Sequence, residues 1–177
     1  MKKAAEKILV SACLLGQKVR YDGGHSASGA EILERWREMG QVVAFCPEVA
    51  GGLGTPRPPA EIIGGDGEAV LDGRARVVTE AGVDVTDAFI KGAQGLLASA
   101  RRHGARMAVL KARSPSCGSF QIYDGTFGRD SGQSAGQSSG ARLVAGMGVS
   151  AALLRRHGIK VFNEAQFVEA QAWLDER

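Results

Sequence analysis

Three segments of the chain share one pattern, and it limits the fold more than any other feature. REMG-QVVAFC (Arg37 to Cys46), RRHG-ARMAVL (Arg101 to Leu110) and RRHG-IKVF (Arg155 to Phe162) each run from cationic residues through a glycine into a short apolar stretch. Cations suit the negative end of a helix dipole. The glycine supplies the left-handed residue that closes a helix. The apolar run then reads as a strand covered on both faces. Three such helix-to-strand joints mean strands alternating with helices, hence a mostly parallel sheet. The expected fold is α/β: a single domain over all 177 residues, Rossmann-like, with helices on both faces of the sheet.

The remaining elements fit around these joints. Lys7 to Ser11 reads as the first strand. Ser28 to Met39 reads as a helix with Ser28 as N-cap and Glu31 completing a capping box. Thr86 to His103 carries apolar residues at helical spacing and is the longest helix, Val149 to Arg156 is another, and Glu164 to Leu174 closes the chain. Residues 63–78 read as a small β-hairpin, AVL and ARVV flanking a DGR turn. GTFGRDSGQSAGQSSG, from Gly125, has almost nothing to bury, so residues 125–142 read as a flexible loop, either a tolerated insertion or a lid.

Charge and hydropathy exclude some classes of function. The net charge is only +3, and the basic residues are scattered rather than interleaved with aromatics, which does not favour nucleic acid as a partner. No apolar run approaches the roughly 18 residues of a membrane helix. The lysines of MKKAAEKILV resemble the start of a signal peptide, but Glu6 and Lys7 interrupt the segment, so a cytoplasmic protein with reduced thiols is expected. No GxGxxG or Walker A pattern follows the first strand, which argues against a nucleotide-phosphate site. Nothing in the sequence sets the oligomeric state.

The chain has three cysteines, an odd number without CxxC spacing, so a disulfide framework is not expected. Cys13 follows the first strand, Cys46 ends the second, and Cys117 comes shortly after MAVLK. All three therefore fall at or beyond the carboxyl ends of parallel strands, the edge where open α/β sheets bind ligands. Each sits in a turn (ACLLG, CPEVAGG, SPSCG) whose amides can hydrogen-bond a sulfur and lower its pKa. A buried cysteine often merely fills space, but three placed alike point to a shared site. Zinc takes four ligands, and His25 is the one histidine not accounted for by a helix C-terminus. An iron–sulfur cluster on three cysteines would leave one iron open, a Lewis acid for substrate. A non-enzymatic zinc or iron–sulfur module is the alternative.

VSACLLG with VRYDGG, FCPEVAGGL with PRPPAEI, DVTDAF, LKARSPSCGS, IYDGTF, GVSAALL and GIKVFNE, in that order from about Ile8 to Glu164, together resemble the thiouracil desulfidase family. The resemblance implies an enzyme with a [4Fe-4S] cluster held by Cys13, Cys46 and Cys117, whose fourth iron binds the sulfur of a small thiolated nucleobase such as 2-thiouracil, releasing uracil. It also implies catalytic roles for Glu48, two residues after the second cysteine, and Ser114, three before the third. Water is expected to attack the thiocarbonyl carbon, with Glu48 as general base and Ser114 orienting the water or relaying a proton. Tyr21, Arg57 and Ser116, on loops at the same edge, are the expected substrate contacts, and Lys111 and Arg113 could balance cluster charge. The chain departs from the family pattern at Gly54 (proline expected), at Ser150 (threonine expected) and in a longer loop at 129–142, which bears on substrate more than on chemistry.

Overall fold

The computed structural model describes residues 5–134 and 140–177. In chain order the elements are β1 (Ile8–Ser11), a 3-10 turn (Ala12–Leu15), α1 (Glu31–Glu38), β2 (Val42–Phe45), α2 (Pro47–Ala50), β3 (Ala60–Ile63), α3 (Gly67–Leu71), β4 (Arg76–Thr79), α4 (Thr86–His103), β5 (Met107–Leu110), β6 (Gln121–Tyr123), β7 (Leu143–Ala145), α5 (Val149–Arg156), β8 (Lys160–Asn163) and α6 (Phe167–Asp175). Four parallel strands form the central sheet in the order β2-β1-β5-β8, with Ile8 opposite both Val42 and Met107 and Met107 opposite Lys160. From β1 the chain moves to one side for β2 and then to the other side for β5. The strand order thus reverses at β1, and a crevice opens beyond the carboxyl ends at such a point.

Strand alternation divides the core between the two faces. Leu9, Ala108, Leu110 and Val161 pack with Leu96, Leu97 and Ala100 of α4 and with Ala151 and Leu154 of α5. Ile8, Val10, Met107, Val109 and Phe162 face the other way, onto Leu33 and Trp36 of α1 and Phe167 and Ala170 of α6. All three expected joints are present: the glycine after each cationic helix end, Gly40, Gly104 and Gly158, has positive φ. His103 and His157 each place Nδ1 against the carbonyl one turn back, as helix-end residues do.

Several local expectations are corrected. The segment 63–78 is not a tight hairpin. RVVT (Arg76–Thr79) pairs antiparallel with AEII at Ala60–Ile63, while AVL lies in α3, where the Asp66 side chain caps the helix by accepting the N–H of Ala69. The DGR residues lie between α3 and β4 instead of linking two strands. Helix α1 begins at Glu31 without a capping box, and the Ser28 hydroxyl accepts the N–H of Ala30 in a local turn that competes with the cap. The last helix begins at Phe167, because Glu164 is used elsewhere. A second antiparallel ribbon, β6 with β7, adds to the elements expected from the sequence. Of the loop read as flexible, residues 125–128 lie in a turn held by hydrogen bonds, and 135–139 fall outside the described residues. Among the described residues, no helix is long and apolar enough to cross a membrane.

Candidate active site

A cavity of about 570 Å³ opens at the carboxyl ends of β1, β2 and β5. Cys13, Cys46 and Cys117 all line it, together with Glu48, Ser114, Tyr21 and Arg57. The outer wall comes from the small ribbons and includes Glu61, Tyr123 and Phe127. Residues from every third of the chain thus meet at one rim, where the sheet topology requires.

Each cysteine sits in a turn or cap at the end of a strand. Cys13 sits in the 3-10 turn directly after β1; its carbonyl accepts the N–H of Gly16 and Ser26. Cys46 is the N-cap of α2, where the neighbouring N–H groups of Val49 and Glu48 favour its thiolate. Cys117 lies in a turn organised by Ser114, whose Oγ accepts the N–H of both Ser116 and Cys117 at 3.1 Å. Gly148 lets that turn seat on α5, since a Cβ there would lie 2.4 Å from the backbone of Ser116.

Burial governs the thiols. Cys13 is pushed up to about 11, chiefly by desolvation and next by neighbouring Cys46, with Lys111 and Arg20 pulling it back. Burial also raises Cys46, against the Val49 and Glu48 amides and Arg57. Cys117 is raised furthest, by burial and by Cys13, Glu48 and Cys46, while a hydrogen bond from Ser11 opposes the shift. At Cys46 the neighbouring amides pull the thiol down by less than desolvation raises it. Neutral, buried thiols are poor free nucleophiles. They are suitable ligands, because a bound metal deprotonates a coordinating thiol outright.

The donor set fits an iron–sulfur cluster better than zinc. Among the described residues, no three His, Cys, Asp or Glu side chains close on a single metal ion. Three thiols on one zinc would sit about 3.8 Å apart, given Zn–S of about 2.3 Å. Thiols that share a cavity without converging suit a polynuclear group in which each thiolate takes its own iron. His25, the candidate fourth zinc ligand, does not line the cavity; its Nδ1 accepts the N–H of Ala27.

The charged neighbours are ordered. Glu48 Oε2 pairs with Arg57 Nη2 at 3.1 Å, and the same Nη2 donates to the carbonyl of Val19, which also lies 3.9 Å from the Cys46 sulfur. Arg57 Nη1 donates to Gly54 O and Thr55 Oγ1, while its buried Nε has no hydrogen-bond partner among the described residues. Lys111 pairs with Glu164, whose other oxygen accepts the N–H of Ala112 at 2.7 Å. Tyr21 stands at the mouth under the guanidinium of Arg20. Ser116 does not reach the cavity: it is 1% exposed, and its hydroxyl pairs with Ser150 at 3.0 Å. Its part is to tie the Cys117 turn to α5.

Residues 8–166 match the sequence profile of 2-thiouracil desulfurase. The chain belongs to the 2-thiouracil desulfurase family. YbbK of Bacillus subtilis strain 168, itself uncharacterized, is 46% identical over 157 residues, which covers 89% of this chain and 95% of YbbK. The solved structure of the [4Fe-4S]-dependent thiouracil desulfidase TudS superposes with a TM-score of 0.81 at 48% identity, covering 97% of this chain and 99% of TudS. Against this desulfurase background, sequence reasoning missed three site residues. Ser11, two positions before Cys13, opposes the upward shift of the Cys117 thiol and accepts the N–H of Lys111. Glu164 anchors Lys111, and Glu61 lines the outer wall. Only Ser11, beside a cysteine in VSAC, carried a local signal.

Proposed function

We propose that this protein is an iron–sulfur enzyme that hydrolyses the C–S bond of a small thiolated nucleobase such as 2-thiouracil, with Cys13, Cys46 and Cys117 as cluster ligands. The net reaction consumes one water and yields uracil and hydrosulfide, with no change in oxidation state. The observation that carries the reading is that three remote thiols and a glutamate face one cavity at the strand-order reversal of a desulfurase-family chain.

When bound, the cluster supplies a soft, open iron that draws electrons from a thiocarbonyl through its sulfur. The chain's own residues do the rest. Glu48 is the base that takes a proton from the attacking water. Arg57 holds that carboxylate by one oxygen, leaving the other for the water. Ser114 accepts two backbone amides at Oγ, which commits both lone pairs. What it retains is its O–H, so it serves as a donor that orients water or base rather than as a nucleophile. Tyr21 and Arg57 bound the substrate space, and Lys111 and Arg20, near Cys13, offset the negative charge of three thiolates.

The test is iron and sulfide analysis of anaerobically prepared protein, followed by incubation with 2-thiouracil. Brown protein with roughly four irons per chain, forming uracil and sulfide together, is expected. Colourless zinc protein, or brown protein that releases no sulfide, would overturn the reading.

A further inference from the structure

We propose that Glu61 orients the thiolated base, one carboxylate oxygen accepting a ring N–H of the base while the other holds the wall that faces it. This rests on the reading above that the cavity takes a thiolated pyrimidine.

Glu61 lies inside β3, opposite Val78 of β4, and is 9% exposed. Its neighbour Ile62 points into the core with Phe89 and Val77, so strand alternation turns Glu61 the other way, into the cavity. A carboxylate at such a depth loses hydration and needs donors in exchange. Oε2 has two: the N–H of Gly125 at 2.9 Å and of Phe127 at 3.1 Å. These bonds hold a turn in which Phe127, a bulky residue lining the cavity, adopts φ of 55°, a conformation that persists only when its surroundings impose it.

The second oxygen is the informative one. Among the described residues, Oε1 has no hydrogen-bond partner, Glu61 makes no ion pair, and the atom is not sealed within the protein. An ionised carboxylate accepts about four hydrogen bonds, so Glu61 presents unused acceptor capacity to the cavity. A thiouracil offers matching chemistry, since each of its ring nitrogens carries an N–H. Tyr123 and Phe127, beside Glu61 on the same wall, supply the apolar surface on which a flat base rests.

Calorimetric binding of uracil, 1-methyluracil and 3-methyluracil to the cluster-loaded protein tests the contact without chemical turnover. Each methyl group removes one N–H donor. Wild type is expected to bind one of the two isomers roughly 10- to 100-fold more weakly than uracil, the size of one hydrogen bond to a charged acceptor. In Glu61→Ala that preference should fall below about threefold, because the disfavoured isomer had no bond to lose, and Glu61→Gln should fall between. Glu61→Gln also carries the test alone if the alanine variant does not fold. A variant that weakens all three ligands equally while keeping the preference shows a residue that only holds the wall, and overturns the contact. A wild type without preference overturns it as well. Sulfide release by wild type, measured in parallel, separates the two readings: discrimination without sulfide release supports the Glu61 contact and defeats the desulfidase reading, whereas sulfide release without discrimination does the reverse.

Discussion

The cavity has two walls built on different principles. The inner wall is the end of a parallel sheet, and its cysteines sit in turns and caps at the strand ends: a 3-10 turn on β1, the N-cap of α2, and a turn seated on α5 and closed by Ser114. Cys13 and Cys117 are buried, and the strands behind them are fully enclosed. The outer wall consists of two short antiparallel ribbons, one of whose strands, β7, is exposed throughout. Its ribbons meet through two side chains, Glu61 to the 125–127 turn and Asp66 to Met147, and through the Gly67 N–H donated to the Met147 carbonyl at 2.6 Å. Positions fixed by many backbone bonds tolerate little displacement, which suits ligands of a rigid cofactor. A wall of short ribbons with one strand exposed and few bonds between them can be reshaped at smaller cost to the fold. On the proposed function, the inner wall carries the reaction and the outer wall the selectivity, and the two can be tested apart.

The sharpest test of that division is to remove one inner thiol. Replacing Cys13, Cys46 or Cys117 by alanine should abolish both the brown chromophore and sulfide release, with circular dichroism close to wild type because the apolar core lies behind the cavity. Retention of the full iron content in any of the three variants would break the assignment of that cysteine. Next in size is Glu48→Gln, which keeps the side chain's shape. The chromophore should persist while kcat for sulfide release falls roughly 10²- to 10⁴-fold, the usual worth of a general base. An unchanged kcat would remove Glu48 from the proton transfer.

The two walls also differed in how far they could be read from sequence. The inner wall was legible because its signals are local: a cationic helix end, a glycine, an apolar run, then a cysteine in a turn. Parallel pairing then brings the strand ends together whatever their separation along the chain. Ser116 was misplaced because sequence position gives no side-chain direction, and the turn aims its hydroxyl at Ser150 rather than at the cavity. AVL has the composition of a strand, yet Asp66 caps it into α3, a local bond outweighing β propensity. Glu61 and Glu164 were invisible for a different reason. Each gains its role from partners far along the chain, Gly125 and Phe127 for one and Lys111 for the other. No periodicity marks such a pairing.

A smaller effect is expected where the inner wall is stressed from behind. In Gly148→Ala the new methyl would press on the Ser116 backbone, which must then separate from α5. Overpacking of this kind costs about 1–3 kcal/mol, and each kcal/mol lowers Tm by roughly 2–4 °C in a chain of this length. Because Cys117 is the next residue, iron per chain should fall together with Tm. A lower Tm with full iron content would show that the ligand turn is held independently of α5, and would weaken the contrast between the walls.

The smallest effect belongs to the outer wall. Phe127→Gly removes a bulky residue from left-handed backbone, a gain of about 1–2 kcal/mol. Against this stand the greater chain entropy of glycine, about 0.5–1 kcal/mol, and the loss of the Arg129 guanidinium over the ring, worth about 0.5–1 kcal/mol at an exposed site. The terms nearly cancel, so Tm should move by no more than a few degrees and the cluster spectrum not at all. The cavity, however, loses an apolar face, and KM for 2-thiouracil should rise while kcat holds. A fall in kcat with KM unchanged would place Phe127 with the reacting groups and erase the distinction between a wall that reacts and a wall that selects.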